Sequence, residues 1–531
     1  MEMTSPLLRN KNFLYATEFF SGMSIMAVEL GASRLLAPYF SSSQIVWTII
    51  IGTIMIALAL GNVWGGRRAD VDANPAKLYR RLIIAALWIG AIPVLGKFII
   101  LAIAGTLIVA IDTDLLIWAA FLSCMAIFVL PLFLLGTVTP SLVKYATDNL
   151  EHNGRIVGNL NAFNTIGSII GTFLPTFVTI PTVGTAITFM IFSGILLSIG
   201  IIYFVSIGAK KFFCTVVVII FVVCGIIGNS VGFAFWEKNL LYEGESIYNY
   251  LQVKDTPNKI IFSTNVLFGV QSLKVKNDEL TGMYYDYALA APLVVDKKNL
   301  RVLILGMGTG TFAEQCRKYF PSAQITGVEI DEKITLLARQ YFALPEDIEV
   351  ITYDGRAFLE ADKNIYDVIL VDAFQDISPP FQMSSAEFFR LIGNHLDDNG
   401  VMVVNMNMRA SGAGNINEYL IDTIGTVFPA VRTIDAVGIT NRVLFAAADN
   451  STLDELKTCA ENLPKGKLSR LMLSIADGWQ APVFGENILT DDCAPVELLS
   501  MRALDSIIQN HLHYYKEIYK RDGLDGIINN F

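Results

Sequence analysis

Histidine, paired cysteine and charge are all scarce in this sequence, and each shortage excludes something. The four histidines in 531 residues form no metal-like cluster. The six cysteines are scattered, with no C-x-x-C pair, so neither a disulfide framework nor a zinc site is indicated, and no metal is expected. Charged residues make up only 17% of the chain, which is low for soluble domains. Acids outnumber bases 49 to 39, a net charge of −10. That balance argues against a nucleic-acid partner and suits a cationic substrate. The first apolar stretch contains Glu18 and Glu29 and lacks a small-x-small cleavage site after a short hydrophobic region. It reads as a retained helix, not a removed signal.

Apolar residues, at 53%, are abundant, and the excess lies in the first half. About seven stretches are long enough to span a bilayer: 13–33, 44–65, 82–108, 115–137, 158–180, 184–206 and 212–234. Pro93 and Lys97 interrupt the third. Cys124, Cys214 and Cys224 fall inside these stretches as packing residues. Gly167 and Gly171, four apart, permit close helix approach; a transport path is the other reading of that segment. Glu29 next to Arg34 reads as an interfacial ion pair, a packing contact or a functional membrane acid. Basic residues crowd alternate loops (Arg67, Arg68, Lys77, Arg80, Arg81; Lys144, Arg155; Lys210, Lys211), which puts the N-terminus in the cytoplasm. Seven spans then carry the second half to the outer face, whereas supply of a cytoplasmic nucleotide ligand calls for the inner one. The composition changes near 236–242, so 1–236 is expected to be a membrane domain in contact with the lipid bilayer.

The second half begins with alternation typical of antiparallel strands over 241–276, a small β-rich lid (241–283). A helix over 284–294 follows, then strands alternating with helices to the end of a domain at 284–531. Alternation of this kind predicts a parallel, doubly wound, Rossmann-like sheet. The most informative segment is RVLILGMGTGTFAEQCRKYFPSAQITGVEID, 301–331. A strand, a turn with Gly306, Gly308 and Gly310, a helix, and a second strand ending in Glu329 form a nucleotide-binding unit. Glycines let the backbone approach the ligand, and the acid can hold ribose hydroxyls. Asp331 is a candidate helix cap. Asp354, ending the third strand, suits an adenine amino group or a turn before a helix. Asp372, ending the fourth strand, suits binding or deprotonating an amine. Asp376 and Pro379–Pro380 follow in a loop able to close over substrate.

From Gly244 the motifs GESIYNYLQV, VQSLKVKNDELTGMYYDYALAAPLV, VLILGMGTG, GVEID, YDGRAFL, YDVILVDAF, SAEFF and DNGVMVVN occur in the order seen in spermidine synthases. The second half therefore resembles the polyamine aminopropyltransferase family. The whole chain, with FFSGMSIMAVELGASRLLAPYF, GNVWGGRRAD and LTDDCAPVELL, resembles its membrane-fused branch. The resemblance implies transfer of an aminopropyl group from decarboxylated S-adenosylmethionine to an amine such as putrescine, without a metal. It gives Glu329 to the ribose, Asp354 to the adenine and Asp372 to the attacking amine. Tyr284 and Tyr285 line the amine site, Gln271 stands at the cleft, and a homodimer is implied. Three positions depart from the family pattern. Thr309 replaces an acid that anchors the donor's amine, Asn249 replaces a glutamine, and Gln375 replaces the second acid of the amine site, with Asp376 one step on. Each lost charge-assisted bond costs about 1.5–3 kcal/mol. Two alternatives therefore stand beside aminopropyl transfer. One is a methyl- or aminocarboxypropyltransferase using intact S-adenosylmethionine. The other is a polyamine transporter or sensor whose nucleotide-binding half does not catalyse.

Overall fold

The computed structural model describes residues 10–110, 114–147, 153–208, 211–266, 269–277, 280–374, 378–409, 414–504, 507 and 521. The chain forms two compact units, Met1–Lys238 and Asn239–Phe531.

Unit 1 is helical: α1 (Lys11–Phe40), α2 (Gln44–Val71), α3 (Pro75–Ala110), α4 (Leu115–Gly136), α5 (Val138–Ala146), α6 (Asn153–Leu174), α7 (Ile180–Ser206) and α8 (Lys211–Ser230). Among the described residues, six helical runs are long and apolar enough to cross a membrane, where the sequence suggested about seven. The difference lies in one run, Asn153–Ser206, of 54 residues. At 1.5 Å per residue it would extend about 80 Å, far beyond a ~30 Å hydrocarbon core. A π-helical turn at Pro175–Thr179 and non-helical backbone at Gly184 (φ 81°, ψ 171°) divide it into α6 and α7. Both pack on α1.

Gly167 and Gly171 make the α1–α6 contact possible. A Cβ at either would lie 2.0 Å from a backbone oxygen of α1, Phe19 O or Met23 O respectively. Helix α3 runs through Pro93, and buried Lys97 donates to the carbonyls of Val231 and Gly232 just beyond α8. Large apolar side chains such as Met55, Leu60, Phe177 and Ile226 face outward. Among the described residues of the unit, the fully buried acid is Glu18; Glu29 is only partly buried.

Unit 2 opens with a four-stranded antiparallel sheet: β1 (Leu240–Glu245), β2 (Tyr250–Asp255), β3 (Lys259–Ser263) and β4 (Ser272–Val275), in that order. The helix expected over 284–294 is two short ones, Tyr284–Ala288 and Ala290–Val295, meeting at Leu289. Next come β5 (Arg301–Leu305), β6 (Gln324–Glu329), β7 (Glu349–Thr352), β8 (Tyr366–Val371), β9 (Leu396–Asn405), β10 (Ala430–Asp435) and β11 (Arg442–Ala447). Their order is β10-β11-β9-β8-β5-β6-β7. Strands β5 to β9 are parallel, as the alternation with helices predicts. The sheet is nonetheless mixed, because β11 runs antiparallel to both β9 and β10. A short connection between β10 and β11 leaves no length for a crossover helix, so the pair returns as a hairpin. The central strand β8 is buried at every position, and Val302, Ile304, Val368, Leu370, Val401 and Val403 form the core of the sheet.

Candidate active site

The parallel order brings five strand ends together along one edge. Gly306 follows β5, Glu329 ends β6, Asp354 lies two residues past β7, Asp372 follows β8 and Asn405 ends β9. Ligands of open α/β sheets bind along this edge, near the point where strand order reverses, here between β5 and β8.

The glycine turn is tight. Gly306, Gly308 and Gly310 all have positive φ (84°, 55° and 84°). A Cβ on Gly306 would lie 2.6 Å from both Asp372 O and Ala373 Cα, so only glycine lets the β5 and β8 exits run this close. The turn leads into the helix Thr311–Tyr319. Gly308 N–H donates to Glu329 Oε2 (2.8 Å) and Asp331 N–H to Glu329 Oε1 (3.1 Å). Each carboxylate oxygen keeps acceptor capacity for a further donor. Burial pushes the Glu329 carboxyl up to about 7, against the pull of those two backbone donors.

Asp372 is held from both sides. Tyr284 OH donates to Oδ2 (2.7 Å) and Asn405 Nδ2 to Oδ1 (2.8 Å). Asn441 Nδ2 in turn donates to Asn405 Oδ1 (3.0 Å), which fixes the amide with its nitrogen toward Asp372. Burial pushes the Asp372 carboxyl up to about 7, and the negative charge of Glu329 adds to the rise. The Tyr284 hydroxyl is driven well above its ordinary 10 by burial and by Asp372, so it remains a donor. Tyr285 lies against Tyr284, ring centroids 4.0 Å apart, and its hydroxyl donates to the Gln271 carbonyl.

The other expected residues fall as follows. Asp354 caps the helix Gly355–Ala361, accepting from Ala357 N–H at 2.9 Å through Oδ1. Asp331 caps Glu332–Phe342 and also accepts from the Ser246 hydroxyl and from the Asn249 side chain. Asn249 thus joins the β6 end of the cleft. Thr309 donates its backbone N–H to Ser272 Oγ (3.2 Å), while its own hydroxyl oxygen is buried without a hydrogen-bond partner. Gln375 and Asp376 lie outside the described residues. Sequence reasoning missed Asn405, Asn441 and Ser272. Asn405 carried a signal, a polar residue ending an apolar strand (VVN), but its importance rests on β9 being the neighbour of β8.

Residues 283–434 match the family profile described as spermine/spermidine synthase domain. A probable polyamine aminopropyl transferase of Bifidobacterium longum (strain NCC 2705) is 51% identical over 345 residues, 62% of this chain and 77% of that protein. The chain belongs to the spermine/spermidine synthase family. Its members named polyamine aminopropyltransferase are transferases, and the Bifidobacterium match covers more residues than unit 2 contains, so it reaches into unit 1. The polyamine aminopropyltransferase of Desulforudis audaxviator (strain MP104C) is 29% identical over 195 residues, 35% of this chain and 68% of that protein. Among solved structures, a probable spermidine synthase from Corynebacterium glutamicum ATCC 13032 shares 21% identity, covering 46% of this chain and 96% of that one, with a TM-score of 0.36. The Asp372–Tyr284–Asn405 group and the Glu329 turn lie side by side on the carboxyl-end edge of the sheet.

Proposed function

We propose that the protein is a membrane-anchored polyamine aminopropyltransferase that moves the aminopropyl group of decarboxylated S-adenosylmethionine onto an amine such as putrescine. The observation that carries this is Asp372, a carboxylate pinned by two neutral donors at the mouth of the sheet. The amine nitrogen attacks the methylene beside the sulfonium. The C–S bond breaks with its electron pair going to sulfur, methylthioadenosine leaves as a neutral thioether, and the nitrogen gives its proton to Asp372. A carboxyl near 7 suits that task at neutral pH. Glu329 would accept from both ribose hydroxyls and Asp354 from the adenine amino group through its uncapped oxygen. Most of the catalysis is positioning. Tyr284 and Tyr285 would wall the amine site; Gln271 and Asn249 would border the cleft.

Thr309 favours a second reading. A buried hydroxyl in place of an acid gives no charge to hold the primary amine of the decarboxylated donor, and intact S-adenosylmethionine carries a carboxylate that an acid there would repel. Incubating full-length protein with each donor and putrescine, with products identified by mass spectrometry, separates the two. Spermidine and methylthioadenosine from the decarboxylated donor are expected. Turnover of the intact donor without spermidine overturns the proposal.

The outward apolar faces of unit 1 support a multi-pass membrane domain over 1–236, and the family resemblance supports a homodimer. Donor supply favours unit 2 in the cytoplasm. The exposed thiol of Cys493 provides the test: labelling by an impermeant reagent only in inverted vesicles is expected, and labelling on intact cells refutes it.

A further inference from the structure

Helix α1 buries four polar side chains within two turns: Thr17, Glu18, Ser21 and Ser24, none more than 1% exposed. Two are satisfied by backbone carbonyls, Thr17 Oγ1 to Phe13 O (2.8 Å) and Ser24 Oγ to Phe192 O (3.2 Å). Glu18 is half satisfied. Its Oε1 accepts from Thr139 Oγ1 of α5 (2.5 Å) and from Asn164 Nδ2 of α6 (2.8 Å), so three helices converge on one carboxylate. Its Oε2 is buried and has no hydrogen-bond partner, and the same is true of Ser21 Oγ. Residues three apart share a helix face, so these two oxygens lie on one side of α1.

Such an arrangement is costly as it stands. An ionised Glu18 leaves charge on Oε2 without a donor, and a neutral one leaves its O–H without an acceptor. Buried polar groups without partners cost about 1–3 kcal/mol each, more when charged. Thr139 and Asn164 both act as donors, which suits an acceptor carboxylate. A group bringing positive charge and several N–H donors relieves both oxygens together, and a primary ammonium carries three such donors. Calcium needs six to eight oxygens, while two unpartnered ones are present here. Tyr15 and Phe163, three residues before Glu18 and one before Asn164, stack on each other at 4.9 Å and tie α1 to α6 beside these two side chains.

We infer that unit 1 carries a binding site for a primary ammonium, built on Glu18 and Ser21 and held in shape by Thr139 and Asn164. This site is separate from the amine position proposed in unit 2 and does not depend on it.

The test uses the full-length protein in nanodiscs with radiolabelled putrescine as probe. Putrescine binding is expected to persist in Asp372→Asn, which disables the unit 2 position. Adding Glu18→Gln to that background should weaken the remaining binding at least about 100-fold, and adding Ser21→Ala about tenfold. Ser21→Ala leaves the bonds from Thr139 and Asn164 to Glu18 intact and serves if Glu18→Gln fails to fold. n-Butylammonium should compete and sodium should not. Loss of all binding in Asp372→Asn alone, or unchanged binding in either folded unit 1 variant, overturns the inference, as does competition by sodium without competition by butylammonium. Spermidine formation by Glu18→Gln, expected to equal wild type, reads the unit 2 proposal independently.

Discussion

Replacing Asp372 with asparagine should make the protein more stable while removing its activity, and the gain should grow with pH. The folded carboxyl sits at about 7 against an ordinary 3.8. Folding therefore takes up a proton between those values, and the wild type loses stability as pH rises through that window, with the full cost present above 7. Three pKa units correspond to about 4 kcal/mol. Between pH 5 and pH 8 the cost rises by roughly 3 kcal/mol. Asparagine keeps an acceptor for Asn405 and can donate to the Tyr284 oxygen, so it inherits the pocket without the charge. Scanning calorimetry of wild type and variant in one detergent at several pH values reads the difference. At about 2 °C per kcal/mol, the Tm advantage of Asp372→Asn should widen by about 6 °C from pH 5 to pH 8. The pH-independent effects of the substitution cancel in that comparison. An advantage that is flat, or that shrinks as pH rises, refutes the assignment of a buried, raised carboxyl.

Three other perturbations probe separate parts of the molecule. Tyr284→Phe removes a donor that holds the Asp372 carboxyl down, so the acidic limb of the kcat/KM profile should move up by about one pH unit; an unmoved limb contradicts the contact. Glu329→Gln should weaken donor binding about 10- to 100-fold by calorimetric titration, through loss of charge-assisted bonds to ribose, with wild-type affinity as the contrary result. Gly171→Ala puts a methyl 2.0 Å from Met23 O and should cost about 3 kcal/mol, seen as a lower Tm in detergent; an unchanged Tm would mean α1 and α6 are not this close.

Strand ends are where the sequence was most readable. An apolar run closed by one acid, VILVD or ITGVE, announces both the strand and the carboxylate at its carboxyl end, and a parallel sheet collects such ends on one edge. What the run cannot reveal is which strand lies beside which. Asn405 matters because β9 is the neighbour of β8, and Asn441 because β11 pairs beside β9; both facts are set by long-range pairing. The β10–β11 hairpin escaped notice because Arg432, Asp435 and Arg442 break its alternation. Those charges are satisfied locally, Arg442 by Asp435 and Arg432 by Asp454. Asp354 shows a different difficulty, since a helix cap and a ligand acid look alike in one dimension and here one oxygen does the capping. In unit 1 the apolar stretches were plain, but the polarity that distinguishes Glu18 from Glu29 depends on which helices surround α1.

The small antiparallel sheet is bolted to the glycine turn. Leu273 N–H donates to Thr311 Oγ1 (3.2 Å), whose hydroxyl donates back to Leu273 O (2.9 Å). Ser272 accepts from Thr309 N–H, Tyr285 holds the Gln271 carbonyl, and Lys333 Nζ reaches Glu245 O (2.7 Å). Five such bonds at about 1 kcal/mol each leave the detached arrangement populated about twice in ten thousand. This sheet is a fixed wall of the cleft. For the nucleotide proposed above, that wall is built during folding and needs no assembly at each turnover, so little ordering entropy is left for the ligand to supply.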